Sequence, residues 1–248
     1  MTRKMFFTLL GLVFCMNLSA NDRAKIPLNR HFVPLQKPQQ DMAFMKVVNP
    51  IADGKQVERI YDLDNKLVRI VTKYFENGKN PTKTVWEDVD TSGQVYKIKE
   101  RKNSENNYTI YYLQNGKVIA EYYGNEQEVI FGKKVVNEEK VVTSTNIFEP
   151  GFKKSVVDYQ EFIRQNLQYP VEARKKRQEG TVELALEIKG DGSIGRIEVV
   201  NAADVYPLLQ EEAIRVLSLY GEGFRGAVDM EGNPVTKWMY LPIHFKLG

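Results

Sequence analysis

The side chains that most often carry catalysis or hold metals are sparse in this chain of 248 residues. Its two histidines, His31 and His244, are more than two hundred positions apart, and its one cysteine is Cys15. A zinc-type site needs three or four imidazole, thiolate or carboxylate ligands, and a Ser-His-Asp triad needs its base held by a third group. Either would require a long-range coincidence here, so neither an enzyme active site nor a cofactor is expected. Lys189-Gly190-Asp191-Gly192 is Gly-rich but separates two strand-like segments, whereas a phosphate cradle needs a helix N-terminus behind it. The basic run Arg174-Lys175-Lys176-Arg177 reads either as a site for an anionic partner or as the solvated end of a helix.

Binding chemistry is better represented, and it gathers near the end of the chain. Lys237 to Leu247 alternates, with Met239, Leu241, Ile243, Phe245 and Leu247 on the apolar side. Pro242 interrupts the polar side. Proline has no N–H for a ladder and is tolerated in sheets essentially at edges, so this strand is expected at an edge with Pro242 facing out. Backbone N–H and C=O of one residue in an antiparallel strand point to the same side, and successive residues alternate. Tyr240, His244 and Lys246 are therefore expected to offer backbone groups to an incoming strand, with the His244 side chain facing outward.

The preceding segments supply the scaffold for that strand. Tyr159, Phe162, Ile163 and Leu167 are spaced as one helix face over Asp158 to Gln168, with Asp158 the candidate N-cap. Pro170 ends or kinks this helix, and Val171 to Arg177 forms a further turn or two. Thr181 to Lys189 alternates with Val182, Leu184, Leu186 and Ile188 inward, turns at Gly190-Asp191-Gly192, and returns over Ile194 to Val200. Leu208 to Leu219 is helical, with Leu209, Ala213, Val216, Leu217 and Tyr220 on one stripe, Glu211, Glu212 and Arg215 outside, and Gly221 as the stop. Burying each apolar face once gives an α+β fold, a three-stranded antiparallel sheet packed on helices over residues 155–248.

These residues resemble the C-terminal domain of TonB and its relatives. The resemblance runs over about residues 155 to 247. It is carried by Leu167-Gln168-Tyr169-Pro170 followed by Ala173, Glu179-Gly180-Thr181-Val182, Asp191-Gly192, Ala213, and Leu241-Pro242-Ile243-His244-Phe245. It implies periplasmic work, binding the TonB box of an outer-membrane TonB-dependent receptor by strand addition. It also implies that Gln168, with Tyr169 and Pro170, lies where such domains meet the receptor peptide; a polar residue closing a helix is the alternative for Gln168. A homodimer stays open.

The rest of the chain departs from an energy-transducing TonB. Arg3 and Lys4 precede a twelve-residue run from Met5 to Met16, then Asn17-Leu18-Ser19-Ala20, which reads as a secretory signal over residues 1–20. That run is shorter than the roughly 18 to 20 residues a span requires, so cleavage after Ala20 is expected over an inner-membrane anchor, which an ExbB-ExbD motor would need. Lipidation at Cys15 is not expected, because Phe14 stands where a small residue is needed. Without residues 1–20 the chain carries 33 basic and 32 acidic residues, which gives no electrostatic case for nucleic acid. Residues 21–50 hold Pro27, Pro34, Pro38 and Pro50 and read as an arm or linker.

Residues 51–143 read as an antiparallel β-meander, with turns at Asp53-Gly54, Asn65-Lys66, Asn77-Gly78, Ser92-Gly93 and Asn115-Gly116. Tyr74-Phe75-Glu76-Asn77-Gly78-Lys79 and Tyr112-Leu113-Gln114-Asn115-Gly116-Lys117 are near repeats. They are similar to the hairpin repeats of MORN-like envelope proteins, although an ordinary meander contains such turns as well. Tyr111-Tyr112 and Tyr122-Tyr123 read as strand packing or as an exposed binding surface. Pro150-Gly151 marks a boundary before the last domain.

Overall fold

In the computed structural model, described over residues 23–37, 41–76, 78–105, 107–125, 129–136, 139–220 and 223–247, ten strands come first and pair in chain order. They are β1 (Ala24–Leu28), β2 (Phe44–Val48), β3 (Lys55–Asp62), β4 (Leu67–Tyr74), β5 (Lys83–Val89), β6 (Val95–Lys102), β7 (Asn107–Gln114), β8 (Lys117–Asn125), β9 (Val129–Val136) and β10 (Glu139–Thr143). Every pairing is antiparallel, as the hairpin turns require. Asn115 and Gly116 both adopt positive φ, 51° and 73°, the conformation of a tight primed turn between β7 and β8. The signal segment, Cys15, Pro38, Asn77 and Gly221 lie outside the described residues.

Residues 21–50 differ from the expected arm, because β1 and β2 are built from them. Their prolines fit the sheet for a physical reason. Pro27 lies in the outermost strand, and its C=O accepts the Leu35 N–H at 2.9 Å, so its backbone faces away from β2 and no ladder bond is lost. Pro50 falls just past the end of β2.

One face of this sheet is buried. Ile60, Val71, Ile110, Ala120, Tyr112 and Tyr122 lie on it, the two tyrosines fully enclosed and set edge to face 5.9 Å apart. The tyrosine pairs are thus split between faces, one ring of each pair belonging to the core. Charges on the same face are paired, as their desolvation demands: Glu58 with Lys73 at 2.5 Å and Lys46 at 3.5 Å, Asp88 with Arg69 at 2.5 Å.

The remaining elements are β11 (Gly151–Phe152), α1 (Val156–Asn166), α2 (Val171–Lys175), β12 (Gly180–Ile188), β13 (Ile194–Val199), α3 (Pro207–Leu219), β14 (Phe224–Arg225), β15 (Ala227–Val228), β16 (Pro234–Val235) and β17 (Lys237–Phe245). Helix α1 starts two residues earlier than expected. Ser155 is its cap and Asp158 completes a capping box: the Ser155 hydroxyl accepts the Asp158 N–H at 3.1 Å, and Asp158 accepts the Ser155 N–H at 3.0 Å.

Strands β13, β12 and β17 form a three-stranded antiparallel sheet in that order, and β11 pairs with β14 beside it. Val182, Leu184, Leu186 and Ile188 point into one core with Leu209, Ala213, Val216 and Leu217 of α3 and with Leu241, Ile243 and Phe245 of β17. Phe152 stacks on Tyr159 at 4.7 Å, so the chain enters this domain immediately after Pro150. Overall the architecture is α+β: a ten-stranded antiparallel meander followed by a helix-covered three-stranded sheet.

The two parts touch through side chains from both. Val228 and Met230, from β15 and the turn after it, pack on the cluster that Tyr112 and Tyr122 of the meander form with Phe148 of the connection to β11. Glu149 accepts from Lys97 at 2.5 Å and from the Tyr112 hydroxyl at 3.0 Å, with Lys237 of β17 4.0 Å away.

Candidate functional site

The outer edge of β17 is defined by its neighbour. Glu183 in β12 donates its N–H to Asn201 Oδ1 at 2.9 Å and accepts the Val200 N–H at 2.8 Å, so both of its backbone groups face the β13 side. Val182 and Leu184 must then face β17, where they pair with Ile243 and Leu241. Pro242, opposite Glu183, faces away from the sheet. Tyr240 and His244 alternate with the inward residues, and their backbone groups share the outer side with Pro242; Lys246 follows the end of the strand. Among the described residues no strand is paired to that side of β17.

Side chains set the character of this edge. Pro242, His244 and Lys246 are exposed. His244 Nδ1 lies 2.9 Å from the Thr181 hydroxyl, its cross-strand partner. Tyr240 is about half exposed, at 48%, with its hydroxyl 3.2 Å from His31 Nδ1. Burial raises the Tyr240 hydroxyl above its ordinary range, Arg69 opposes the shift and Glu198 adds to it.

His31 comes from the β1–β2 connection and crosses the outer face of the sheet. Its Nε2 meets Glu198 of β13 at 2.9 Å, and its ring stands edge-on to Trp238 at 4.8 Å. Glu198 and Tyr240 both pair with Ala185, which explains why Ala185 is fully buried although it points away from α3. Trp238 and Tyr240 are therefore partly covered, while Pro242, His244 and Lys246 stay open.

Gln168, Tyr169 and Pro170 lie beyond α1, at the C-terminal end of β17. The Tyr169 ring stands edge-on to Phe245 at 5.7 Å, and its hydroxyl donates to the Gln178 carbonyl. Burial and the Glu179 carboxylate raise that hydroxyl above its ordinary range, with Arg174 opposing. The Gln168 side chain is exposed, while its backbone N–H donates to Glu212 Oε1 at 2.6 Å. The structure thus brings Tyr169 and Lys246 to one cleft of about 660 Å³, lined also by Arg174, Arg177, Glu179 and Leu247. Tyr240 lies farther along the strand, outside it.

Glu212 is a correction to the expected solvated face of α3. Only 7% of it is exposed, and its carboxylate also holds Arg215 at 2.6 and 2.7 Å, while Arg215 donates to the Asn166 carbonyl at 2.7 Å. The sequence carried a signal for this: Glu212 is three residues after Leu209 and four before Val216, on the apolar stripe itself. His31 and Glu179 had no comparable signal, because their positions follow from how distant segments meet.

No metal-ligating cluster of three His, Cys, Asp or Glu occurs among the described residues, and none of their helices is long and apolar enough to cross a membrane. Comparison with curated proteins and with solved structures gives no match. The family model described as "Gram-negative bacterial TonB protein C-terminal" matches residues 165–247, a span that begins just before the Gln168 segment and ends at β17 and its cleft. The near repeats around Gly78 and Gly116 fall outside that match, and their resemblance to MORN-like proteins gains no support from it. Over its last third, residues 165–247, the chain is thus similar to the C-terminal domain of Gram-negative bacterial TonB proteins.

Proposed function

We propose that this protein works in the bacterial periplasm and that its last domain takes up the TonB box of an outer-membrane TonB-dependent receptor as a fourth strand beside β17. The observation that carries this reading is the outward-facing Pro242 on an edge strand with no described partner. Strand addition supplies affinity through main-chain hydrogen bonds and specificity through alternate side chains. We read the chain as a binding protein, not an enzyme.

The test is amide hydrogen exchange on residues 21–248 with and without a TonB-box peptide. The Tyr240, His244 and Lys246 amides gain protection if the peptide pairs there, while those of Leu241 and Ile243 are protected from the start. Unchanged exchange at the first three counts against the reading.

A second reading is an envelope scaffold in which the β-rich domain recognises the partner, without a role in energy transduction. Its support is β10, an edge strand exposing Val141 and Val142 at 46% and 65%. Protection at β10 upon partner addition would favour it. Engagement of ExbB-ExbD requires a retained N-terminus, and the intact mass of envelope-derived protein distinguishes retention from cleavage after Ala20.

A further inference from the structure

The basic run Arg174-Lys175-Lys176-Arg177 divides in the structure. Lys175 pairs with Glu172 at 2.9 Å, and Lys176 donates to the Tyr206 hydroxyl at 3.1 Å. Arg174 and Arg177 instead line the cleft with Lys246. Among the described residues no carboxylate pairs with any of these three cations. Glu179, the cleft's own acid, already accepts the Leu247 N–H at 2.6 Å through Oε1. The cleft therefore has three cations and one engaged carboxylate.

Arg177 carries a second sign. It sits past the end of α2 at φ 51°, and the next residue, Gln178, donates its N–H back to the Ala173 carbonyl at 2.9 Å. This is the helix-ending arrangement in which Gly is usual, because a β-carbon is disfavoured at positive φ. An arginine held there keeps a conformational cost that Gly would avoid, and such residues concentrate at ligand clamps. Arg177 lines the cleft together with Lys246, the residue that follows β17.

Resting on the strand-addition reading, we propose that this cleft recognises an acidic side chain, Asp or Glu, at the end of the guest strand that lies beside Lys246. A guanidinium presents parallel N–H donors that match a carboxylate, and two of them with an ammonium supply the charge. Tyr169, with Arg174 5.7 Å from its ring, walls the cleft.

Calorimetry of the full chain with three capped peptides of alternating Thr and Val tests this: Glu at the first position, Glu at the last, or Gln at both. One Glu peptide is expected to bind roughly tenfold tighter than the Gln peptide, with the advantage shrinking at high salt. Arg177→Gly is expected to abolish that advantage while raising the thermal midpoint, since Gly relieves the positive φ. Equal binding of the three peptides, or equal loss of Glu and Gln peptides in Arg177→Gly, overturns the proposal. Should no peptide bind, strand addition fails, and titration with N-acetyl-glutamate amide still decides the cleft. Saturable NMR shifts at the Arg174 and Arg177 side-chain N–H groups uphold it, and their absence overturns it.

Discussion

The Glu212 carboxylate accepts the backbone N–H of Gln168 at 2.6 Å, tying the middle of α3 to the turn that leads from α1 to α2. The same carboxylate holds Arg215, whose guanidinium reaches the Asn166 carbonyl, so one buried acid fixes the entry to the Gln168–Pro170 segment. A half-satisfied buried group costs more than the hydrogen bond it replaces. Glu212→Ala is therefore expected to destabilise the fold by about 2 kcal/mol. Glu212→Gln, which keeps one acceptor, should cost less, as read by urea unfolding; equal midpoints for wild type and Glu212→Ala would refute this.

His31 seals Trp238 against the β1–β2 connection. In a Trp86→Phe background, where Trp238 is the only indole, His31→Ala should red-shift its emission and raise its quenching by acrylamide. Loss of this ring contact costs about 1 kcal/mol. An unchanged emission maximum would show that the connection does not cover the indole.

Glu149 joins the two parts of the chain. Burial alone would raise its carboxyl, but Lys97 and Lys237, with hydrogen bonds from Lys97 and Tyr112, outweigh burial and leave it below its ordinary 4.5. A depressed folded value means that its stabilisation is fully present above 4.5 and is lost as pH falls through the folded value. Glu149→Gln should consequently lose less stability than wild type between about pH 5 and 3. Thermal midpoints across that range measure the difference, and parallel curves would exclude it.

At the outer edge of β17, His244→Pro removes one outward N–H without touching the ladder to β12, whereas His244→Ala removes only the ring and its contact with Thr181. The proline variant should bind a TonB-box peptide more weakly by about 1 kcal/mol for the lost hydrogen bond. Calorimetric titration of both, with circular dichroism for folding, is the measurement. A folded proline variant that binds as well as the alanine one removes the strand-addition mechanism.

Local pattern alone determined the elements of the last domain. Alternation placed Val182, Leu184, Leu186 and Ile188 inward because side-chain direction in a strand has a period of two residues. A missing N–H placed Pro242 at an outer edge, since that is a property of the residue itself. The Asn115-Gly116 turn was legible for the same reason, as positive φ is a local preference. Tertiary structure alone decided that Ala24–Leu28 and Phe44–Val48 join the sheet, because a proline's tolerance depends on which side of which strand it occupies. It also decided that His31 reaches Glu198 across 167 residues, that Glu212 turns inward to Gln168, and that Arg174, Arg177 and Lys246 share one cleft. Such contacts join groups whose separation along the chain leaves no periodic trace, and only the packing of one element on another brings them within reach.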